Sequence, residues 1–217
     1  MLPTTIAAIA TPSGRGGIGI IKVSGPEAIE SAVSIFLPGG SAFSAASTGW
    51  TPVSRYLYYG HIVHPRTQIP LDEVLFVVMR APHSYTGENV TEIQAHAGSV
   101  SLRSILDLLL NQGVQLAEPG EFTRRAFLNG RMDLAQAEAV IDLINARSER
   151  GLDVAMQQLS GRLSNAVKTV QGALLDIIAE LEAGIDFPED LPEVSADNLL
   201  ADRIVAEVLS PVQRLIR

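Results

Sequence analysis

The sequence predicts an α+β domain over residues 1–118 followed by an all-helical segment over residues 119–217. Two observations carry this reading. Up to Glu118, short runs rich in Ile, Val and Tyr alternate with Gly, Pro and Ser clusters, and helical patterns fall between them. From Asp133 onward, apolar residues recur mostly three or four positions apart, from Ile141 and Ile144 through Leu159, Leu163, Val167, Val170 and Leu174 to Leu181 and Ile185.

Thr4 to Ala10 and Ile18 to Val23 read as strands. Pro26 to Phe36 reads as a helix: Ser24 or Gly25 caps it, Pro26 suits its first turn, and Ile29, Ala32, Val33 and Phe36 form one stripe. Leu37 to Ser54 is a Gly/Ser/Ala/Thr loop. Arg55 to Val63, Glu73 to Ala81 and Val90 to His96 are strands, with a turn-rich loop from Pro82 to Asn89. Ser99 to Asn111 is a helix closed by Gly113, and Val114 to Glu118 is short and extended. The character changes at Pro119-Gly120. Asp133 with Gln136 three residues on predicts a capping box. Gly151, Gly161 and Gly172 interrupt the helical pattern, each costing about 1 kcal/mol against alanine, as expected of close helix approach or a bend. The Asp186 to Pro192 stretch ends the long helix. Ser195 then caps a last helix that Pro211 is expected to kink. The apolar pattern from Leu209 to Ile216 stops without a terminal cap, as expected of the visible part of a longer chain.

With 47% apolar residues over 217 positions, the chain has material for a real core. No apolar run reaches the length of a membrane span, and no cleavable leader pattern precedes the first strand; both point to a cytoplasmic protein with no membrane role. The absence of cysteine fits a reducing compartment and removes disulfides and thiolate metal sites. Net charge is −8, and nine acidic against three basic residues between Glu180 and Arg217 account for −6 of it. A nucleic-acid binder acting alone carries a basic face, so any RNA contact is local or shared.

Gly14 to Gly19 spells G-x-G-x-x-G. A dinucleotide fingerprint needs a helix next, because the helix N-terminus supplies the N–H groups for the pyrophosphate. Here Ile20-Ile21-Lys22-Val23 is strand-like, and no Gly-Lys-Ser/Thr follows. The glycines instead suit a hairpin loop that allows positive φ and close approach by backbone, a flat ligand or a second subunit. His61 and His64, three apart in a strand-like run, face opposite sides and do not chelate one metal easily. Period-two alternation places Glu92, Gln94 and His96 on one face, either a solvated sheet surface or the wall of a polar pocket. A carboxylate in such a wall can accept paired N–H bonds from a flat heterocycle. The stretch Gly120 to Arg131 is the most basic local cluster, either an amphipathic helix with solvated arginines or an anion clamp.

Five stretches together resemble the MnmE (TrmE) family, the tRNA modification GTPases. They are Thr11-Pro12-Ser13-Gly14-Arg15-Gly16-Gly17-Ile18-Gly19, Ser84-Tyr85-Thr86-Gly87-Glu88-Asn89, the run from Pro119-Gly120-Glu121-Phe122-Thr123-Arg124-Arg125 to Gly130, Asp133-Leu134-Ala135-Gln136-Ala137-Glu138-Ala139, and Ile185-Asp186-Phe187-Pro188-Glu189. The resemblance implies an N-terminal domain similar to the folate domain of aminomethyltransferases. That domain binds a tetrahydrofolate derivative, 5-formyl- or 5,10-methylenetetrahydrofolate, and forms the homodimer. It implies a helical domain next, into which a Ras-like GTPase domain with GTP, Mg and K is inserted beyond the last residue here. This segment then carries no GTPase site and no catalytic residue of its own. With an FAD-dependent partner, MnmG (GidA), in a heterotetramer, family members add an aminomethyl-type group at C5 of the wobble uridine of tRNA.

Three folate contacts carry over: Lys22, Glu92 and Arg131. The family often has arginine at the first position and lysine at the third, so charge is kept at both while Lys22 gives up the planar fork of a guanidinium. Around His96 the sequence departs from the family's His-Gly-Gly, and no catalytic role is assigned there. Two other classes are compatible with the same residues: a stand-alone folate-dependent one-carbon transferase, which the Asp133 to Ile185 helices disfavour, and a dimerisation scaffold that no longer binds folate.

Overall fold

The computed structural model describes residues 3–12, 14, 16–39, 50–186 and 196–216. The chain divides into two compact units, Met1–Met132 and Asp133–Arg217. The boundary expected at Pro119-Gly120 therefore lies further on. The cause is Arg125, whose buried side chain bonds Thr4, Glu88 and Glu121 and so binds its helix into the first unit.

In the first unit the described residues form one sheet in the order β3-β4-β5-β6-β2-β1-β7. Its strands are β1 (Ile6–Ile9), β2 (Ile18–Ser24), β3 (Phe36–Pro38), β4 (Tyr58–Val63), β5 (Pro70–Met79), β6 (Val90–His96) and β7 (Gln115–Leu116). All neighbours run antiparallel except β1 and β7. The helix α1 (Ala28–Val33) is shorter than expected, because the chain re-enters the sheet as β3 directly after Ile35. Most of the expected Leu37 to Ser54 loop lies outside the described residues.

Strand alternation sorts the side chains as the pleat requires. Ile21, Val23, Val74, Phe76, Val78, Ile93 and Ala95 point into one buried face, where they meet Ala28 and Ala32 of α1 and Leu102, Ile105 and Leu109 of α2 (Ser99–Leu110). Thr91 also faces inward, and its hydroxyl donates to Ala28 O at 2.9 Å, which removes the cost of burying it. The intervening residues Ile20, Lys22, Leu75, Val77, Glu92 and Gln94 stay part-exposed on the opposite face.

The opening glycines sit in the β1–β2 hairpin, and Gly19 lies within β2 itself. A Cβ at Gly19 would fall 2.5 Å from Leu102 Cδ1, so what comes close to the backbone there is helix α2. The segment after the glycines is strand, as expected, and the dinucleotide arrangement of strand, turn and helix is absent there. Ser13 and Arg15 lie outside the described residues.

The first unit closes with α3 (Glu121–Leu128). In the second unit, Asp133 caps α4 (Leu134–Asn145) with the expected box: its carboxylate accepts from Gln136 N at 2.9 Å, and the Gln136 side chain accepts from Asp133 N at 2.9 Å. The long helical pattern resolves into α4, α5 (Glu149–Leu159) and α6 (Arg162–Asp186). Ser148 caps α5 through Gly151 N, and a Cβ at Gly151 would fall 3.2 Å from the capping Ser148 Oγ, a close fit that suits glycine there. Val170, Ile177 and Val208 form a small buried cluster, whereas Ile141, Ile144, Val167, Leu181 and Ile185 remain exposed. After α7 (Ala196–Arg203), residues Ile204–Leu209 form a π-helical turn before α8 (Ser210–Ile216). There Ser210 N–H bonds Val205 O, one residue wider than an α-turn. Pro211 follows at once, and its missing N–H is the local reason for the widened turn where a kink was expected. The terminator through Pro192 and the Ser195 cap lie outside the described residues. No helix among the described residues is long and apolar enough to cross a membrane.

Candidate functional site

Lys22 and Glu92 are direct cross-strand partners of β2 and β6 on the sheet face turned away from α1 and α2. Lys22 Nζ lies 3.2 Å from Glu92 Oε1, and the two side chains keep 21% and 24% of their surface open. A single part-exposed ion pair adds little stability, so the pair calls for another reason. Two aromatic rings flank it: the Lys22 ammonium stands 5.2 Å from the Tyr85 ring centre and 6.0 Å from that of Phe122. Cation, carboxylate and two π-faces thus converge at one end of the open face.

Tyr85 belongs to the loop from Ser84 to Glu88, and α3 with the turn after it holds that loop residue by residue. Arg131 Nε donates to Ser84 O at 3.2 Å. The Tyr85 hydroxyl pairs with Thr123 Oγ1 at 2.9 Å. Asn129 Nδ2 donates to Thr86 O at 2.8 Å. Gly87 has φ +75°, and a Cβ there would press on Asn129 Cβ at 3.3 Å. Glu88, wholly buried, faces Arg125 Nη1 at 3.2 Å.

Arg125 is itself 1% exposed and is the centre of a closed polar cluster. It donates to Glu121 Oε1 through Nε and Nη2 at 3.2 and 3.0 Å, and to Thr4 O and Oγ1 at 2.6 and 3.0 Å. Ser24 Oγ completes it, donating to Glu88 Oε2 at 2.9 Å and pairing with Thr86 Oγ1 at 2.7 Å. Burial pushes the Glu121 carboxyl upward, but the Glu118 N–H and the Arg125 guanidinium outweigh it and hold its pKa below the ordinary value. Of the two readings of the basic cluster, neither describes Arg125: it is no solvated arginine, and its donors are taken by the protein's own acceptors. Arg124, near Glu118 and Glu121, and Arg131 are the exposed arginines of the cluster.

The three expected site residues are therefore linked unequally. Lys22 and Glu92 touch, whereas Arg131 is tied to Ser84, the residue beside Tyr85. Sequence reasoning missed Tyr85 and Phe122, although both lie in stretches quoted above; a tyrosine and a phenylalanine in such a pattern carry no one-dimensional sign that they will meet at one lysine. His96, at the far end of β6, forms a separate group. Asp72 accepts from His96 Nδ1 at 2.6 Å, from His96 N at 3.1 Å and from Ser101 Oγ at 2.5 Å. The hydrogen bond and the negative charge of Asp72 hold the imidazole pKa above its ordinary value. Serine and histidine both bond the aspartate, so this is no nucleophile–base relay. A cavity of about 180 Å³ lies beside His96, lined by Ile18, Tyr59, Glu73, Leu75 and Gln94 among others. His64 Nδ1 accepts from the turn amides of Arg66 and Thr67, both at 3.3 Å, which gives it a local structural role.

A mixed-sheet module with a charged and aromatic site, followed by a helical module, defines a class of two-part protein, and comparison with known families places both parts. Residues 5–131 match the model described as the GTP-binding protein TrmE N-terminus, and residues 134–217 match the MnmE helical domain. The chain belongs to the MnmE (TrmE) family. It is 48% identical over 217 residues to the tRNA modification GTPase MnmE of Carboxydothermus hydrogenoformans, covering 100% of this chain and 46% of that one. It is 50% identical over 216 residues to that of Moorella thermoacetica, covering 100% and 45%. The Alkaliphilus oremlandii protein of the same name is 47% identical over 213 residues, covering 98% and 45%. The chain thus spans less than half the length of these curated relatives.

Proposed function

We propose that this chain is the folate-binding and dimerising part, with the first portion of the helical domain, of a tRNA-modifying GTPase. The observation that supports the folate reading is the Lys22–Glu92 pair, left part-open on the free face of the sheet beside Tyr85. The donor set fits the group. A pterin presents a ring N–H beside an exocyclic amine, a pair that one carboxylate accepts along two parallel bonds, and Glu92 is the part-exposed carboxylate at this place. The glutamate tail carries carboxylates that Lys22 or Arg131 neutralises. On this reading the first unit has the aminomethyltransferase-like folate fold, and Lys22, Glu92 and Arg131 bind and orient the ligand. A bound tetrahydrofolate derivative supplies a one-carbon unit.

In the whole protein, a GTPase domain with its GTP, Mg and K lies outside these residues, and the exposed apolar stripe of α4 to α8 is covered by the rest of the helical domain. The protein acts in the cytoplasm as a homodimer with an FAD-dependent partner, MnmG, on the C5 position of the wobble uridine of tRNA. Titration calorimetry of residues 1–217 with 5-formyltetrahydrofolate tests the folate reading: saturable heat at one site per chain is expected. No heat, with the chain folded by circular dichroism, overturns it.

A further inference from the structure

We propose that Tyr85 is a ligand-contacting, specificity-determining residue whose ring stacks on the bicyclic head of the bound folate, with α3 as the template that holds it. The inference rests on the folate reading above and deepens it by saying which end of the ligand lies where.

Three observations carry it. First, Tyr85 is the side chain through which the Ser84–Glu88 loop reaches the Lys22–Glu92 pair, with its ring centre 5.2 Å from the Lys22 ammonium. The flat pyrimidinone half of the reduced pterin, engaged by Glu92 through its edge, needs a face to lie against, and a phenol ring near that carboxylate provides one. Second, the ring is held from behind. Its hydroxyl is engaged by Thr123 at 2.9 Å, so the polar tip is occupied and the π-face is what the residue has to offer. Third, the template is more extensive than one surface loop needs. Arg131, Thr123, Asn129 and Arg125 secure Ser84, Tyr85, Thr86 and Glu88 in turn. Preorganisation of this kind lowers the ordering cost of binding at the residue it surrounds. Phe122, the neighbour of Thr123 on α3, adds a second ring 6.0 Å from the same ammonium. Since Arg131 is anchored to Ser84, the same template sets the position of the third expected contact.

The test is calorimetry of the 217-residue chain with two ligands, 5-formyltetrahydrofolate and the tail-free 5-formyltetrahydropterin, with melting temperature as fold control. Stacking on one aromatic ring amounts to roughly a five- to 150-fold change in affinity. Tyr85→Leu is expected to lose that factor for both ligands, with the melting temperature little changed. Tyr85→Phe and Thr123→Val keep the ring and release its tip, so each loses about two- to fivefold. A loss confined to the tailed ligand would put the tail at Tyr85 and overturn the assignment. A Tyr85→Phe loss as large as that of Tyr85→Leu would make the hydroxyl the contact and overturn it too. If the unaltered chain and Tyr85→Leu bind equally while Glu92→Gln is impaired, the folate reading stands and this inference fails. No binding by the unaltered chain overturns both.

Discussion

Arg125 Nη1 lies 3.2 Å from Glu88 Oε2, and the two side chains are 1% and 0% exposed. A charge pair so fully removed from water persists because its partners are in place: Glu121 and Thr4 accept from Arg125, and Ser24, itself paired with Thr86, donates to Glu88. Removing the cation leaves two carboxylates buried together. Arg125→Ala is expected to cost about 3–5 kcal/mol in chemical denaturation, enough to unfold much of the first unit. Glu88→Gln leaves Arg125 paired with Glu121 and is expected to cost about 1–3 kcal/mol. Equal stability of Arg125→Ala and the parent would show that this cluster does not hold the unit together.

At the open face the same kind of change acts on binding. On the folate reading, Glu92→Gln keeps the shape of the side chain but turns one acceptor into a donor facing a pterin N–H. The dissociation constant for 5-formyltetrahydrofolate is expected to rise about ten- to a hundredfold, with the melting temperature unmoved. Lys22→Ala also weakens binding, and more so at low salt if its charge meets the exposed tail. An unaltered constant in Glu92→Gln would mean that Glu92, Gln94 and His96 form a solvated surface only.

The His96–Asp72 pair sets a pH dependence of its own. His96 is held above its ordinary value of 6.5 by its hydrogen bond to Asp72 and by that carboxylate's charge, with Glu73 adding to the effect. Burial raises the Asp72 carboxyl, but Ser101 and His96 outweigh it and leave its pKa below 3.8. The histidine contribution to stability is therefore complete below 6.5 and is lost as pH rises through the raised value. The aspartate contribution is present above 3.8 and is lost as pH falls through the depressed value. NMR titration of the His96 ring should give a midpoint above 6.5 that returns toward it in Asp72→Asn. The same midpoint in both proteins would rule the coupling out.

The chain is expected to sediment as a dimer at roughly tens of micromolar, where a submicromolar association stays complete. The motive is the dimerising role proposed above, for which the exposed apolar side chains of the first unit, Ile18, Val53, Tyr56 and Ile69 among them, offer contact surface. A single monomer boundary at that concentration would count against it.

The parts of the fold that depend on short-range pattern were readable in the sequence. Period two in Val90–His96 gave β6 residue for residue, and Asp133 with Gln136 gave a real capping box. The hairpin around the opening glycines followed from the strand-like residues after Gly19. What pattern could not give was the use of charge at long range. Arg125 reads as one more arginine on an amphipathic helix, yet it is sealed by partners 37 and 121 positions away. The change of pattern at Pro119-Gly120 sets the boundary in the sequence, and nothing local there shows that Arg125 ties its helix to the sheet. The same separation hides the reason why Tyr85 stands at Lys22, because the holding contacts come from a helix some forty residues later in the chain.

The span of those contacts bears on how the protein is made. A ribosome releases Thr4, Ser24 and Glu88 long before Arg125, so the emerging sheet can complete its strand ladder while one buried carboxylate still lacks its counter-ion. A nascent chain that has reached only β7 is a sheet with an open electrostatic seam. Docking of α3 closes the seam and secures the Ser84–Glu88 loop in a single event. The first unit thus matures with the arrival of its last helix, and a ribosome pausing before that point would leave the sheet exposed to proteases and chaperones with its loop unformed.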